Sequence, residues 1–307
     1  MIRLTKNLEE AQFVTHAGNF HADDVFSTVL LSKLFSDVTL IRLSEYHDDA
    51  TKLAYDIGLG KFDHHGPTYD KKRKNGIHYC SFGLLWQEYG QQFLKNRQIA
   101  NFQTVFDVLD ELLVIQIDAI DNGEYNLDAP YNIYTLSTLI EQFRPKYGQK
   151  EDEDECFLKA VTFADLIFEQ ILNDAISKVQ TMNIIYKKST SLKDKILILD
   201  EYLPYEYAIF KLGLDIDFVV YPSNRGGYAA HTVPTKYKGF TPKIPFNKNW
   251  AGLRDAELQK VSKVKTAKFC HRNLFLATAQ TKEDALKLIY ETKKDALSAS
   301  NHIESSL

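Results

Sequence analysis

The chain has 307 residues, 44% hydrophobic and 25% charged, the ordinary composition of a folded globular protein with length for about two domains. Its net charge of −4 argues against a general polyanion binder, which carries a basic excess, but not against a phosphoesterase whose bound dications supply positive charge locally. Cys80, Cys156 and Cys270 are widely spaced and form no CxxC pair, which argues against a disulfide framework or a thiolate zinc site and fits a reducing, cytoplasmic compartment. Residues 1–6 lack the apolar core of a signal peptide, and no run approaches the roughly 20 apolar residues of a membrane helix, so no membrane partner is expected.

Residues 12–16 predict a short strand ending at His16, after which Gly18 lets the chain turn tightly. Val25, Val29, Leu30, Leu31 and Leu34 then recur with helical period, with Asp23 or Asp24 placed as N-cap. The β-branched run 38–43 predicts a second strand, 53–58 a third that contains Asp56, and 61–63 a short fourth ending at Asp63. Strand–helix alternation of this kind predicts a parallel α/β sheet, whose functional groups gather at the carboxyl ends of its strands. Residues 81–182 read as mostly helical: Phe82, Leu85, Trp86 and Tyr89 keep helical spacing, as do Phe102, Val105, Phe106, Leu109, Leu112 and Leu113. The acidic run 151–155 reads as a loop or helix start, and 157–185 as one long helix. The polar stretch 187–191 marks a break, after which strands resume at 196–199, 218–222, 228–233 and 274–277. The expectation is an α/β protein with two domains, 1–188 and 189–307.

Two short segments are dense in metal-ligating and proton-transferring groups. His16, His21, Asp23 and Asp24 lie within nine residues, and Asp63-His64-His65 stand directly before Gly66-Pro67. Imidazole and carboxylate in similar measure suit a borderline-hard divalent ion such as Mn²⁺, Zn²⁺ or Fe²⁺. Consecutive residues of a regular strand point to opposite faces, so three in a row converge only where the strand ends and the chain turns. Asp56 is a carboxylate in an otherwise apolar strand, where it needs a cation or a turn to satisfy it. Asp118 and Asp121 share a helix face ahead of Asn122-Gly123, which stops the helix, and a carboxylate at a helix C-terminus favours a compensating cation. Lys71-Lys72-Arg73-Lys74 reads either as a solvated loop or as a phosphate-steering one. Arg225-Gly226-Gly227 reads either as a β-turn or as an anion site with backbone N–H groups and a bidentate arginine, and His231 follows it. Asp194, Asp200, Asp215 and Asp217 read as turn residues, Trp250 and Leu253 as core. His47, His78 and His302 have no partner in the sequence.

His21-x-Asp23, Asp56, Phe62-Asp63-His64-His65 and Asp118-x-x-Asp121-Asn122-Gly123 together resemble the four motifs of the DHH phosphoesterase superfamily. Within it the chain most resembles the Myg family, through Thr15-His16-x-Gly18-x-Phe20, Asn75-Gly76-Ile77, Ser81-Phe82-Gly83-Leu84, Trp250-x-Gly252-Leu253-Arg254-Asp255 and Cys270-His271. His21 stands where many superfamily members have Asp, and Arg272-Asn273-Leu274-Phe275 replaces a glycine-richer stretch. The resemblance implies an N-terminal DHH domain with a parallel sheet flanked by helices, and a smaller C-terminal α/β substrate domain. It implies two divalent ions, commonly Mn²⁺ with Mg²⁺, Co²⁺ or Zn²⁺ as alternatives. One ion would be held by His16, His21 and Asp23, the other by Asp56, His64 and Asp121, with Asp23 or Asp56 bridging. Asp63 would orient a ligand histidine, and His65 would contact the phosphate or protonate the leaving group. Arg225, Gly226, Gly227, His231 and His271 would bind substrate from the second domain. The implied activity is 3′–5′ exonuclease cleavage of RNA or short oligonucleotides. A small-molecule phosphatase or pyrophosphatase, or a metal-containing regulatory protein without turnover, are the alternatives, and a homodimer stays open.

Overall fold

The computed structural model describes residues 2–48 and 50–304, with side chains to residue 295, so the ring of His302 lies outside the described residues. The chain divides into two compact units, residues 1–179 and 180–307. The division falls inside one helix, which continues into the polar stretch at 187–191, whose side chains are at most half-buried. No helix among the described residues is long and apolar enough to cross a membrane.

The first unit is built on a four-stranded, all-parallel sheet of order β1-β3-β2-β4, formed by Ile2–Leu4, Phe13–His16, Val38–Leu43 and Leu53–Ala54 as β1 to β4. β1 is an edge strand of three residues, interrupted by exposed Arg3, which leaves it no hydrophobic run to read from sequence. The strand expected over 53–58 stops early. Tyr55 makes only an isolated bridge to Phe62, and Asp56, Gly58 and Leu59 take the left-handed backbone conformation, which ends β pairing. The strand expected at 61–63 is likewise reduced to that one bridge.

Helix α1, Ala22–Leu34, follows β2 and is buried on every side from Ala22 to Leu31, as expected of a helix between a sheet and other helices. Its N-cap is His21, not Asp23 or Asp24. Asp24 sits at the third helical position, where its carboxylate accepts the His21 N–H at 2.9 Å. α1 packs on α2 (Ser81–Asn96) through Phe26 and Phe82, whose ring centroids are 5.6 Å apart. α3 (Phe102–Leu109) stacks Phe106 on Trp86, passes through one π-helical turn at Asp110–Val114, and runs into α4 (Ile115–Asp121). α5 (Leu136–Glu141) and the 37-residue α6 (Glu153–Ser189) complete this part of the chain, α6 covering the long helix expected there.

The second unit holds a five-stranded sheet of order β5-β6-β7-β9-β8: Ile196–Ile198, Phe218–Pro222, Tyr228–Thr232, Leu276–Ala279 and Ala267–Cys270. β5 and β6 are parallel and the other pairs antiparallel. Phe218, Val220, Ala230 and Ala277 on one face pack with Leu258 of α8 (Asp255–Ser262) and Leu288 and Ile289 of α9 (Lys282–Glu304). Leu197 and Val219 on the other face pack with α7, Tyr205–Lys211. β8 and α7 escape the sequence pattern. β8 mixes exposed Lys268 with half-buried Phe269, and α7 is only seven residues long.

Candidate metal centre

Every group of the centre enters from a strand end, a helix end or the turn beside it. The loop 17–21 is fixed from outside: buried Arg42 donates to the Gly18 carbonyl at 2.8 Å and lies over the Phe157 ring, and Arg144 donates to the Phe20 carbonyl at 2.7 Å. Gly18, at φ +83°, makes the turn that returns the chain to the head of α1. His16 closes β2 and donates its Nδ1–H to the Ala17 carbonyl, so Nε2 is the ring atom turned inward. That Nε2 stands 3.1 Å from Asp24 Oδ2 and 3.1 Å from Asp56 Oδ2. The His21 ring centroid is 5.8 Å from that of His16.

Asp56 is the hinge of the arrangement. Its left-handed φ of +57° turns its carboxylate off the strand line, with Oδ2 toward His16 and Oδ1 3.2 Å from His64 Nε2. Ser81, at the first turn of α2, donates to the same Oδ1 at 3.1 Å. Asp63 accepts the Leu59 N–H at 2.7 Å on one oxygen, and the His65 N–H and Nδ1 at 3.0 and 2.9 Å on the other. It therefore ties the 59–65 loop and orients His65, whose side chain is 59% exposed. The His64 ring is buried beneath it, with Nε2 at 3.3 Å from Asp121 and 3.6 Å from Asp23.

Three groups bring ligand atoms close enough to share an ion: His16, His21 and Asp56; Asp56, His64 and His65; and Asp23, His64 and Asp121. The six expected ligands thus converge, but they group differently from their order along the chain. Asp23 stands with His64 and Asp121 instead of with His16 and His21, while Asp56, expected beside His64 or as a bridge, stands in one group with His16 and in another with His64. Sequence reading also missed Asp24 as the partner of His16, and Ser81 as the hydroxyl on Asp56. Asp24 stood in the sequence as an N-cap candidate within the ligand-dense segment, and Ser81 as the start of a helix and of the Ser81-Phe82-Gly83-Leu84 stretch, with no sign of these contacts.

Asp118 does not join the centre. It accepts Arg73 Nε at 2.6 Å and the Cys80 N–H at 3.0 Å, locking α4 to the head of α2. Gly83 makes this possible, since a Cβ there would lie 2.3 Å from Asp118 Oδ1. Arg73 also pairs with Asp110 through both terminal nitrogens, so it is a buried structural cation and not a phosphate-steering one. Lys71, Lys72 and Lys74 remain exposed. His78, on the surface, is bracketed by Glu124 and Asp70, and His47 is exposed.

In the second unit, Gly226 spends its N–H on the Ser223 carbonyl at 3.0 Å, in the hairpin turn between β6 and β7. Gly227 is required by close approach: a Cβ would sit 2.3 Å from the Ala279 carbonyl oxygen. The paired glycines therefore serve the turn, with Arg225 exposed at its tip. His231 and His271 flank Phe275, at 5.3 and 4.2 Å between ring centroids. His231 donates Nδ1–H to the Thr232 carbonyl, and burial depresses its pKa, so it is a neutral ring. His271 Nδ1 accepts the Asn273 N–H at 3.1 Å.

The electrostatics of the first-unit centre call for a cation. Burial would depress His16, but Asp24 and Asp56 outweigh it and push its pKa up to about 11. Burial would raise Asp56, but hydrogen bonds from His16 and His64 hold it far below the usual carboxylate range. His64 is raised, its burial outweighed by Asp56 and Asp121. Asp23 is pushed well up by burial, then by Asp56, Asp121 and Asp24, and neither of its oxygens has a hydrogen-bond partner. Buried carboxylates of this kind are stable when a proton or a metal ion joins them, and the mixed imidazole–carboxylate set fits divalent first-row ions. The centre opens into a cavity of about 410 Å³ lined by His21, Asp56, His64, His65, Asp121 and Glu141 among others.

Fold and site together define a mixed α/β protein with a buried histidine and aspartate centre able to hold metal ions. The chain belongs to the MYG1_exonuc family, described as an uncharacterised protein family (UPF0160), whose profile matches residues 12–292. A MYG1 protein of Dictyostelium discoideum is 26% identical over 93% of this chain and 97% of its own length. A MYG1 protein of Chlamydia pneumoniae is 27% identical over 92% and 96%. The Homo sapiens relative, named MYG1 exonuclease, is 24% identical over 91% of this chain and 84% of its own length. No solved structure matches the chain.

Proposed function

We propose that this chain is a metal-dependent phosphodiesterase of the DHH type that removes nucleotides from the 3′ end of RNA or short oligonucleotides. Asp23 carries the metal-dependent part: its carboxylate is 1% exposed, both oxygens lack a hydrogen-bond partner, and Asp24, Asp56 and Asp121 all raise it. The name exonuclease borne by the human relative supports phosphodiester cleavage. His16, His21 and Asp56 would hold one divalent ion and Asp23, His64 and Asp121 another, Mn²⁺ being the first candidate. Bound there, such ions lower the pKa of a water and neutralise charge that builds on the leaving oxygen.

The chain's own residues supply positioning and proton transfer. Asp56 reaches both histidine groups, and Ser81 holds its Oδ1 in place. Asp63 fixes His65 through Nδ1, so Nε2 is the nitrogen available to give a proton to the leaving oxygen. Hydrogen bonding to Asp63 raises the His65 pKa despite partial burial. In this reading residues 1–188 catalyse and 189–307 bind substrate, with Arg225, His231 and His271 as the contacting groups.

The test is a Mn²⁺-supplemented assay on 5′-labelled single-stranded RNA and DNA, dinucleotides and pyrophosphate. RNA should shorten stepwise from its 3′ end, and the Asp63→Ala/His64→Ala double variant should leave it intact. Unchanged hydrolysis in that variant would falsify the assignment. Cleavage of pyrophosphate alone would replace the exonuclease with a small-molecule phosphatase.

A further inference from the structure

A second cavity, of about 540 Å³, adjoins the one at the centre: Ile120 and Ser137 line both. Its walls are apolar, with Leu113, Ile117 and Ile171 beside Ile120, and Tyr125 and Tyr134 on the loop that joins α4 to α5. Those two tyrosines are 52% and 63% exposed, so their rings are open to a ligand at the mouth of the cavity. No charged side chain lines the cavity among the described residues. At the junction, Ser137 is 8% exposed and its Oγ has no hydrogen-bond partner, although a serine inside a helix can usually bond back to the preceding turn.

We propose that this cavity receives the nucleobase of the nucleotide whose phosphate lies at the metal centre, with Ser137 Oγ bonding to that nucleotide where the cavities meet. The inference rests on the phosphodiester reading above. The occupant must be continuous with a phosphate group, because the two cavities share walls. It must be largely apolar, because nothing charged faces it. A planar base meets both demands, and exposed tyrosines are the side chains on which bases stack, with little regard to sequence. Gln116 and Thr135 add polar edges without fixing one base. Inorganic pyrophosphate would leave the whole cavity unused.

The experiment compares calorimetric binding of adenosine 5′-monophosphate and ribose 5-phosphate to Mn²⁺-loaded full-length protein. It is repeated with Tyr134→Ala, at an exposed position that does not endanger folding, and with Ile171→Trp, which fills the cavity. The wild type should bind the nucleotide about tenfold or more tightly than the sugar phosphate, the scale of one stacked base. Both variants should lose that preference while binding ribose 5-phosphate as before. Equal affinities in the wild type, or no binding of either ligand at millimolar concentration, would overturn the proposal. RNA cleavage with equal affinities would sink the base site alone. A base preference without any RNA cleavage would sink the exonuclease and leave the site standing.

Discussion

Residues 1–179 carry 28 acidic side chains against 17 basic ones, whereas residues 180–307 carry 13 against 20. Within the second unit the imbalance sharpens: residues 218–281 hold 11 Lys and Arg but only Asp255 and Glu257 on the acidic side. The chain-wide net charge of −4 averages these out. In the first unit three cations are committed to carboxylates, Arg73 to Asp110 and Asp118, Arg42 to Asp154, Lys33 to Asp165 and Glu169, while Lys71, Lys72 and Lys74 face solvent. What remains is a set of buried carboxylates whose near neighbours are the His16 and His64 rings. Exposed Arg225 and Arg254, the latter over the Phe269 ring, leave the second unit with cations facing solvent. Acidic and basic side chains are thus segregated along the chain.

The most severe way to break that contrast is to remove the carboxylate shared by two ligand groups. Asp56→Asn should lower nuclease turnover about a thousandfold or more, since metal catalysis contributes several kcal/mol. It should also lower the bound Mn²⁺ read by elemental analysis, and full activity with full metal content in that variant would remove Asp56 from the site. Next in size comes the committed cation. Arg73→Met strands buried Asp118 and should cost about 3–5 kcal/mol in urea unfolding. Arg225→Ala, at an exposed turn, should stay within about 0.5 kcal/mol. Similar losses for the two would mean that the arginines are not differently employed.

How far the sequence discloses this division depends on whether a signal is local. His16, His21, Asp23, Asp56, His64 and Asp121 are legible because polar residues at the ends of apolar strands and helices stand out against their neighbours. The parallel sheet is legible for the same reason, through the β-branched runs of β2 and β3. Arg73 is not, because its role depends on Asp110 and Asp118, which lie 37 and 45 residues away. In the sequence it looks like one more member of a basic loop. Ser81 is hidden likewise, 25 residues from Asp56. Asp56 itself misled the strand boundary, since nothing local announces a left-handed aspartate. Which of these side chains stand together is set by the folded backbone, and chain order carries no such information.

Two smaller effects sharpen the contrast. Ser81→Ala deletes the hydroxyl that donates to Asp56 Oδ1, leaving the carboxylate freer to turn. Loss of such a supporting hydrogen bond should weaken Mn²⁺ binding about 10–100-fold by competitive chelator titration, with an unchanged melting temperature. Unaltered affinity would make Ser81 a helix-start residue and nothing more.

The smallest effect belongs to the second unit and is read through salt. If Arg225 contacts one phosphate of a single strand, its removal releases one counterion fewer on binding. Arg225→Ala should then reduce the slope of log affinity against log salt for RNA by about 0.7, and weaken binding only a few-fold at low ionic strength. The measurement is fluorescence anisotropy with labelled single-stranded RNA across a potassium chloride series, using the Asp63→Ala/His64→Ala background to prevent cleavage. Arg97→Ala is the matched control, because that arginine is exposed on the first unit and already paired with Glu169. A slope change in the control equal to that at Arg225 would mean that RNA senses the charge of the whole chain, and that the basic second unit holds no privileged contact. A change confined to Arg225 would tie phosphate recognition to the hairpin turn whose glycines the backbone itself requires.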